Sequence, residues 1–297
     1  MADIITFANQ KGGVGKTITV SATASILTSQ GFRVLMIDQD AQRNLDMVAD
    51  RKIAISRSDT TSKSILTVLN GDCTMEEAII TTPIGDLVRA TNQLYSWNGP
   101  PIITETEFDS LKNEPEKLVE LLSGRFKYTS EGDNVHLLNN ALSSVTDKYD
   151  YILIDTNPTL TLLTLNALYA TQFVVIPAFS EKSSAEAIIE LCETIQNIKM
   201  FDPWRHLEIA GILMTKYDIR TRASRRHDKK FPNLAVRLGV NLFDTKIRAS
   251  AKAAEYVEAG LDIIRYDPKC NTSLDYYSFV EELKERIKTI REVWNNA

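Results

Sequence analysis

Apolar and polar positions along this chain fall into short apolar runs separated by longer stretches of helical period. Ile4-Ile5-Thr6-Phe7, Arg33-Val34-Leu35-Met36-Ile37-Asp38, Tyr149-Asp150-Tyr151-Ile152-Leu153-Ile154-Asp155, Phe173-Val174-Val175-Ile176-Pro177 and Ile209 to Lys216 read as strands. Asp86 to Thr91 is a weaker candidate strand. Between them, Val20, Ala24 and Leu27 recur at helical spacing up to Gly31, and Ser64–Leu69, Met75–Ile79, Leu111–Phe126, Leu162–Leu168 and a stretch through Ile198 read as helices. From Leu274 a last helix places Phe279, Val280, Leu283, Ile287, Ile290 and Trp294 on one stripe. Strand and helix in alternation predict an α/β fold: a doubly wound, mostly parallel twisted sheet flanked by helices, with residues 1–297 as one domain. The stretch 50–135 carries no recognisable chemistry; packing is its expected role, and Trp97 to Pro101 within it reads as a turn.

Composition narrows the class without fixing it. The chain has 297 residues, 43% hydrophobic and 25% charged, which suits a globular protein with an ample core. The formal net charge of -5 means that any nucleic-acid footprint must be local. Cys73, Cys192 and Cys270 are far apart and make no CxxC pair, so reduced thiols are expected rather than a disulfide framework or a zinc site. No apolar run has the length of a membrane span and no basic leader precedes the first strand, so a cytoplasmic protein is expected.

Chemistry is concentrated just after the first strand, in Ala8-Asn9-Gln10-Lys11-Gly12-Gly13-Val14-Gly15-Lys16-Thr17. A glycine-rich turn between strand and helix presents backbone N–H groups at the positive end of a helix, a ready anion site. Lys16 would reach outer phosphates and the Thr17 hydroxyl would ligate Mg²⁺. The simple P-loop pattern fails by one position, because Gln10 stands where it asks for glycine. The string Lys-Gly-Gly-Val-Gly-Lys-Thr, with its additional Lys11, resembles the deviant Walker A loop of the ParA/MinD ATPases. That resemblance implies ATP and Mg²⁺ as cofactors, with Lys11, Gly12, Gly13, Val14, Gly15, Lys16, Thr17 and Ile18 on the nucleotide. It also implies a homodimer formed on ATP binding, in which Lys11 reaches the nucleotide of the other subunit.

Two further segments extend the resemblance. Asp38 and Asp40 stand two apart at a strand end, where both carboxylates would point to one side if the strand continued. Paired buried carboxylates are costly without a cation, which suits a Mg²⁺ or water-ordering role. Asp-Gln-Asp-Ala-Gln-Arg-Asn is similar to the family's first switch segment, with Ala41 in place of its proline; by that resemblance Asp38 lies near the Mg²⁺ and Asp40 orients the attacking water. Asp155 closes an apolar strand as a Walker B aspartate would. The following stretch resembles the second switch, with Thr156 and Asn157 in place of its Cys and first Pro. In that reading Lys11, Lys16 and Asp40 act in catalysis, while Thr17, Asp38 and Asp155 hold the metal.

Between Lys216 and Lys252 eleven basic residues face three acidic ones, a local +8 that leaves about -13 for the rest. Such a stretch is either a solvated basic face or a sequence-independent footprint for phosphate backbone. Tyr217 to Arg222 and Lys246-Ile247-Arg248 resemble segments of chromosomal ParA proteins, which implies that Arg220, Arg222 and Arg248 contact non-specific double-stranded DNA. Relatives enclose the adenine near the end of the Ile209–Lys216 strand and around Ile247. The expected function is then a DNA partition ATPase, nucleoid-associated, whose hydrolysis a ParB-like centromere-binding protein stimulates. The alternative is a MinD-like membrane-associated positioning ATPase. Membrane binding is disfavoured because the last helix mixes Glu281, Glu282, Glu285 and Glu292 with Lys284, Arg286, Lys288 and Arg291 on its polar face. An enzyme transferring phosphoryl groups to other substrates, and a scaffold that binds nucleotide without turnover, are more distant alternatives.

Overall fold

In a computed structural model the described residues are 1–50, 63–99, 133–179, 183–202, 205–218, 220, 222–250 and 253–296. Strands β1 (Asp3–Phe7), β2 (Val34–Asp38), β3 (Ile79–Thr82), β4 (Gly85–Val88), β5 (Tyr151–Asp155), β6 (Phe173–Ala178), β7 (Glu208–Tyr217) and β8 (Leu242–Arg248) form one sheet. Its order is β3-β4-β2-β5-β1-β6-β7-β8, and only the β3–β4 edge pair is antiparallel. The helices are α1 (Lys16–Ser29), α2 (Asn44–Ala49), α3 (Ile65–Leu69), α4 (Met75–Ala78), α5 (Leu137–Leu142), α6 (Leu162–Ala170), α7 (Ser183–Phe201), α8 (Arg222–Leu238), α9 (Ala253–Ala259), α10 (Ile263–Tyr266) and α11 (Asn271–Asn296).

Alternation along the central strands divides the core between two faces. Ile5, Phe7, Met36, Leu153 and Phe173 pack with α1 and α11, whereas Ile4, Leu35, Ile37, Ile152 and Ile154 pack with α3, α5 and α6. Val174, Ile176 and Ile212 continue the second face under α7. Runs that are apolar at every position therefore serve strands covered on both sides, as expected for parallel strands.

Three local expectations change. Ile79 does not extend α4 but opens the edge strand β3, whose hairpin partner β4 stops at Val88 rather than Thr91. β2 ends at Asp38, so Asp40 lies in a turn and strand alternation does not place it. The expected helix Leu111–Phe126 and the prolines of the expected turn lie outside the described residues.

The stripe on α11 is spent on the sheet: Phe279, Val280, Leu283 and Ile287 are buried, and Ile290 and Trp294 pack against the same cluster. Phe279 meets Phe243 of β8 edge to face at 4.9 Å. Glu282 accepts the backbone N–H groups of Asp244 (2.8 Å) and Thr245 (3.0 Å), which fixes the helix lengthwise along β8. Truncating Phe279 to Ala should cost ~3–5 kcal/mol of unfolding free energy. Urea denaturation at an unchanged m-value measures this, and a loss below ~1 kcal/mol would mean that α11 is not part of the core.

Candidate functional site

β1 runs into a loop that delivers the chain to α1, and the loop's shape follows from its glycines. Gly13 and Gly15 take φ of 74° and 91°, left-handed backbone that a side chain enters only at a cost. Asn9 ties the loop to the sheet: its Oδ1 accepts the Lys11 N–H at 2.9 Å and its Nδ2 donates to the Pro177 carbonyl at 2.8 Å. On the other side the Thr215 hydroxyl of β7 sits between the carbonyls of Val14 (2.7 Å) and Ala178 (3.1 Å). Thr19 donates to the Gly15 carbonyl at 2.7 Å and meets the Tyr276 hydroxyl of α11 at 3.2 Å. Bonds from three directions hold the cradle in place and keep its N–H groups aimed.

The buried Lys16 amine turns back on the loop and donates to the carbonyls of Asn9 (3.1 Å) and Lys11 (3.4 Å). Burial holds its pKa below the usual lysine value, opposed by the charges of Asp155 and Asp40. An arriving polyanion offers that amine stronger acceptors than two neutral carbonyls.

Beneath the loop lie two carboxylates. β5 inserts between β1 and β2, so Asp155 is the register partner of both Phe7 and Asp38. Both aspartates are buried; one Asp38 oxygen accepts the Asp40 N–H at 2.9 Å, while Asp38 Oδ2 and both Asp155 oxygens have no hydrogen-bond partner. Burial first, then the neighbouring charges of Asp155, Asp46 and Asp40, push the Asp38 pKa well up. Burial likewise raises that of Asp155, offset by the Thr17 hydroxyl and Lys16. The Thr17 hydroxyl beside Asp155 favours its ionised form. Among the described residues no three His, Cys, Asp or Glu side chains form a metal cage. Two carboxylates with open oxygens and one hydroxyl fit Mg²⁺, which binds through one or two carboxylates and takes its other ligands from water and phosphate. The open cleft above, about 240 Å³, is lined by Gly12 to Ile18, Asp40, Asn44 and Pro158, and by Lys216 and Val257.

Comparison with known proteins agrees with this geometry. The family AAA_31, described as an AAA domain, matches residues 2–207. An uncharacterized protein of Pseudomonas putida is 33% identical over 287 residues, covering 96% of each chain. The chromosome-partitioning ATPase Soj of Treponema pallidum is 28% identical, covering 96% of this chain and 98% of its own. The cobyrinic acid a,c-diamide synthase of Mycobacterium smegmatis, solved with ADP and magnesium, superposes with a TM-score of 0.71 at 25% identity, covering 97% of this chain and 96% of that one. This chain belongs to the ParA/MinD family of ATPases.

Within this ParA/MinD ATPase the structure gathers Gly12 to Ile18, Lys16, Thr17, Asp38, Asp40 and Asp155 around one cleft. Lys11 stands at its rim with its amine 4.9 Å from the centre of the Phe179 ring. Arg220 and Arg248 line a second depression, because Tyr217 and Arg248 are register partners across β7 and β8. Both guanidiniums already face carboxylates: Arg220 pairs with Asp218 at 2.9 Å and Arg248 grips Asp275 at 2.8 and 2.6 Å. The local positive field is therefore smaller than the residue count suggests. Arg222 opens α8, but its side chain lies outside the described residues, as do those of Arg225, Arg226, Lys229 and Lys252. Asn9, Thr215 and Thr156, whose hydroxyl donates to the Phe7 carbonyl at 2.9 Å, are supports that no sequence motif announced.

A pH dependence follows from the raised carboxylates in the protein free of nucleotide and metal. An acid whose folded pKa lies above its unfolded value of about 3.9 holds its proton longer when folded, so stability falls as pH rises from there through the folded pKa. Asp38→Asn keeps the oxygen that accepts the Asp40 N–H and removes the charge. It should stabilise the apo protein by on the order of 1 kcal/mol at pH 8 and by much less at pH 4. Thermal melts at the two pH values check this; an equal shift at both would contradict a raised Asp38.

Proposed function

We propose that this chain is a partition ATPase: with ATP and Mg²⁺ it closes a homodimer that binds double-stranded DNA without sequence preference, and a ParB-like centromere-binding protein stimulates hydrolysis. The observation that carries the nucleotide chemistry is the pair Asp38 and Asp155, buried with open oxygens directly below a preformed phosphate cradle. Full-length similarity to a chromosome-partitioning ATPase supports the use of that chemistry in DNA segregation. The α11 stripe is buried on the sheet, which favours the nucleoid over the bilayer as the working surface.

In this reading the N–H groups of Gly12 to Ile18 hold the phosphates. Lys16 leaves the Asn9 and Lys11 carbonyls for the outer phosphates and stabilises charge as the terminal phosphoryl group departs. Thr17, Asp38 and Asp155 would hold Mg²⁺, which would supply positive charge to neutralise the phosphates. Asp40, fixed by its own N–H on Asp38 and by Gln42 N–H on its carboxylate (3.0 Å), orients the attacking water. Lys11 is outside the cleft on its own subunit, where a second subunit can bring its nucleotide to it.

Two measurements test the reading. Lys11→Ala should retain ATP affinity within about threefold yet lose ATP-induced dimerisation by light scattering, because its charge-assisted contact of ~1.5–3 kcal/mol is made only across the dimer. Equal loss of both would indicate an ordinary phosphate loop acting within one subunit. Arg220→Glu combined with Arg248→Glu should abolish ATP-dependent gel shifts of plasmid DNA in low salt while sparing ATP binding. Unchanged shifts, or ATP-dependent sedimentation with anionic liposomes instead of DNA, would overturn the DNA assignment.

A further inference from the structure

Lys216 belongs by sequence to the basic stretch, yet its place in the fold is the nucleotide cleft. Among the described residues only Arg43 and Lys216 combine a side chain with left-handed backbone, at φ of 57° and 50°. Such a conformation costs free energy and persists only where the surroundings impose it. For Arg43 the reason is visible: its guanidinium reaches the buried Asp46 at 2.8 Å, beside Arg89 at 3.1 Å. Lys216 is exposed and lies at the end of β7, where its backbone is clamped on both sides. Thr215 is bonded to the phosphate-loop carbonyl of Val14, and the Tyr217 carbonyl accepts the Ala249 N–H at 3.1 Å. The β7–β8 register shifts between Met214 and Tyr217, so residue 216 is where the strand departs from regular alternation.

The product of that distortion is a second ammonium group at the cleft. Lys216 lines the same space as the loop, Asp40 and Pro158. Its amine lies 5.4 Å from the centre of the Phe179 ring, which the Lys11 amine approaches at 4.9 Å. An aromatic ring attracts an exposed ammonium group only weakly. A polyanion in the cleft offers the Lys216 ammonium a stronger partner than the ring.

We propose that Lys216 is a polyphosphate-contact residue, a cation additional to Lys16 and Lys11, held over Phe179 until nucleotide phosphates arrive. The proposal rests on the ATPase reading. Lys16 and Lys216 then approach the phosphates of one cleft from the loop and from the end of β7, whereas Lys11 serves the nucleotide of the other subunit.

The test compares Lys216→Met, Lys216→Arg and Lys216→Gly with the parent protein, measuring affinity for ATP, ADP and AMP by calorimetry in Mg²⁺. Lys216→Met should bind ATP about tenfold more weakly, as expected for loss of one charge-assisted contact, with AMP affected less than about twofold. Lys216→Arg should restore ATP binding to within about threefold. Lys216→Gly should lose ATP affinity as Met does while its apo melting temperature does not fall, since glycine accepts the backbone without strain; a purely structural lysine would lower that temperature. ATP affinity within about twofold of the parent in Lys216→Met would overturn the proposal. Equal weakening of ATP and AMP would also overturn it and assign the side chain to the base or sugar. Failure of the parent itself to bind ATP would refute the ATPase reading instead, so the two failures are distinguishable.

Discussion

Two buried carboxylates placed side by side are the constraint on which this structure turns. Asp38 and Asp155 end neighbouring strands, both buried, with three of their four oxygens lacking a partner. Isolated buried charge is expensive, so the site is built for a bound state in which that expense is offset. The surrounding parts follow from it. Thr17 is at hand to share a cation, Lys16 supplies opposing charge within the same desolvated space, and the glycine backbone above presents donors to whatever anion accompanies the metal. A site of this kind is destabilising when empty and stabilising when full, which makes occupancy itself a source of free energy for conformational change.

The last helix connects this site to the opposite function. Tyr276 touches Thr19, whose hydroxyl bonds to the Gly15 carbonyl of the phosphate loop, and the preceding residue Asp275 holds Arg248. Thr272 donates to the Arg248 carbonyl at 3.1 Å, so backbone and side chain of that arginine are both attached to α11. Further along, Arg286 bonds the carbonyls of Ala210 and Leu242 and stacks its guanidinium on Phe243 at 4.1 Å. One helix thus reaches the phosphate cradle through Tyr276 and Thr19, and the basic surface through the neighbouring Asp275. Its apolar stripe is the reason: burying that stripe against β7 and β8 is what holds the polar contacts in register.

How much of this was readable in the sequence depends on whether the cause was local. Strands such as Ile4–Phe7 and Tyr151–Asp155 declare themselves because parallel strands covered on both faces must be apolar throughout. The phosphate loop was legible because its glycines and lysines do the chemistry through contiguous backbone. The insertion of β5 between β1 and β2 was not, because strand order is set by long-range packing, and the meeting of Asp38 with Asp155 depends on that order alone. Thr215 is similarly invisible: an ordinary β-branched residue in a strand becomes a strut only because β7 lies beside β6 and within reach of Val14. The basic stretch was legible as charge but not as geometry, since Asp218 and Asp275 partly neutralise it and Lys216 faces elsewhere.

Where this chain departs from the two segments that resemble the family's switches, its own side chains hold the backbone. Where the first switch has Ala41 instead of proline, Arg43 takes a left-handed turn, bonds its N–H to the Asp40 carbonyl at 2.8 Å and buries its guanidinium on Asp46. Asp46 also receives Arg89 from the end of β4, so the segment carrying Asp40 is tied to the sheet through charge rather than through a ring. In the second switch, the Thr164 hydroxyl lies 3.1 Å from Asn157 Oδ1 and 2.6 Å from the Thr159 carbonyl, closing the turn that enters α6. A proline restricts a turn whatever its surroundings, whereas these contacts restrict it only while they last. The shape of both segments in this chain therefore depends on hydrogen bonds and ion pairs, which a change of partner can exchange.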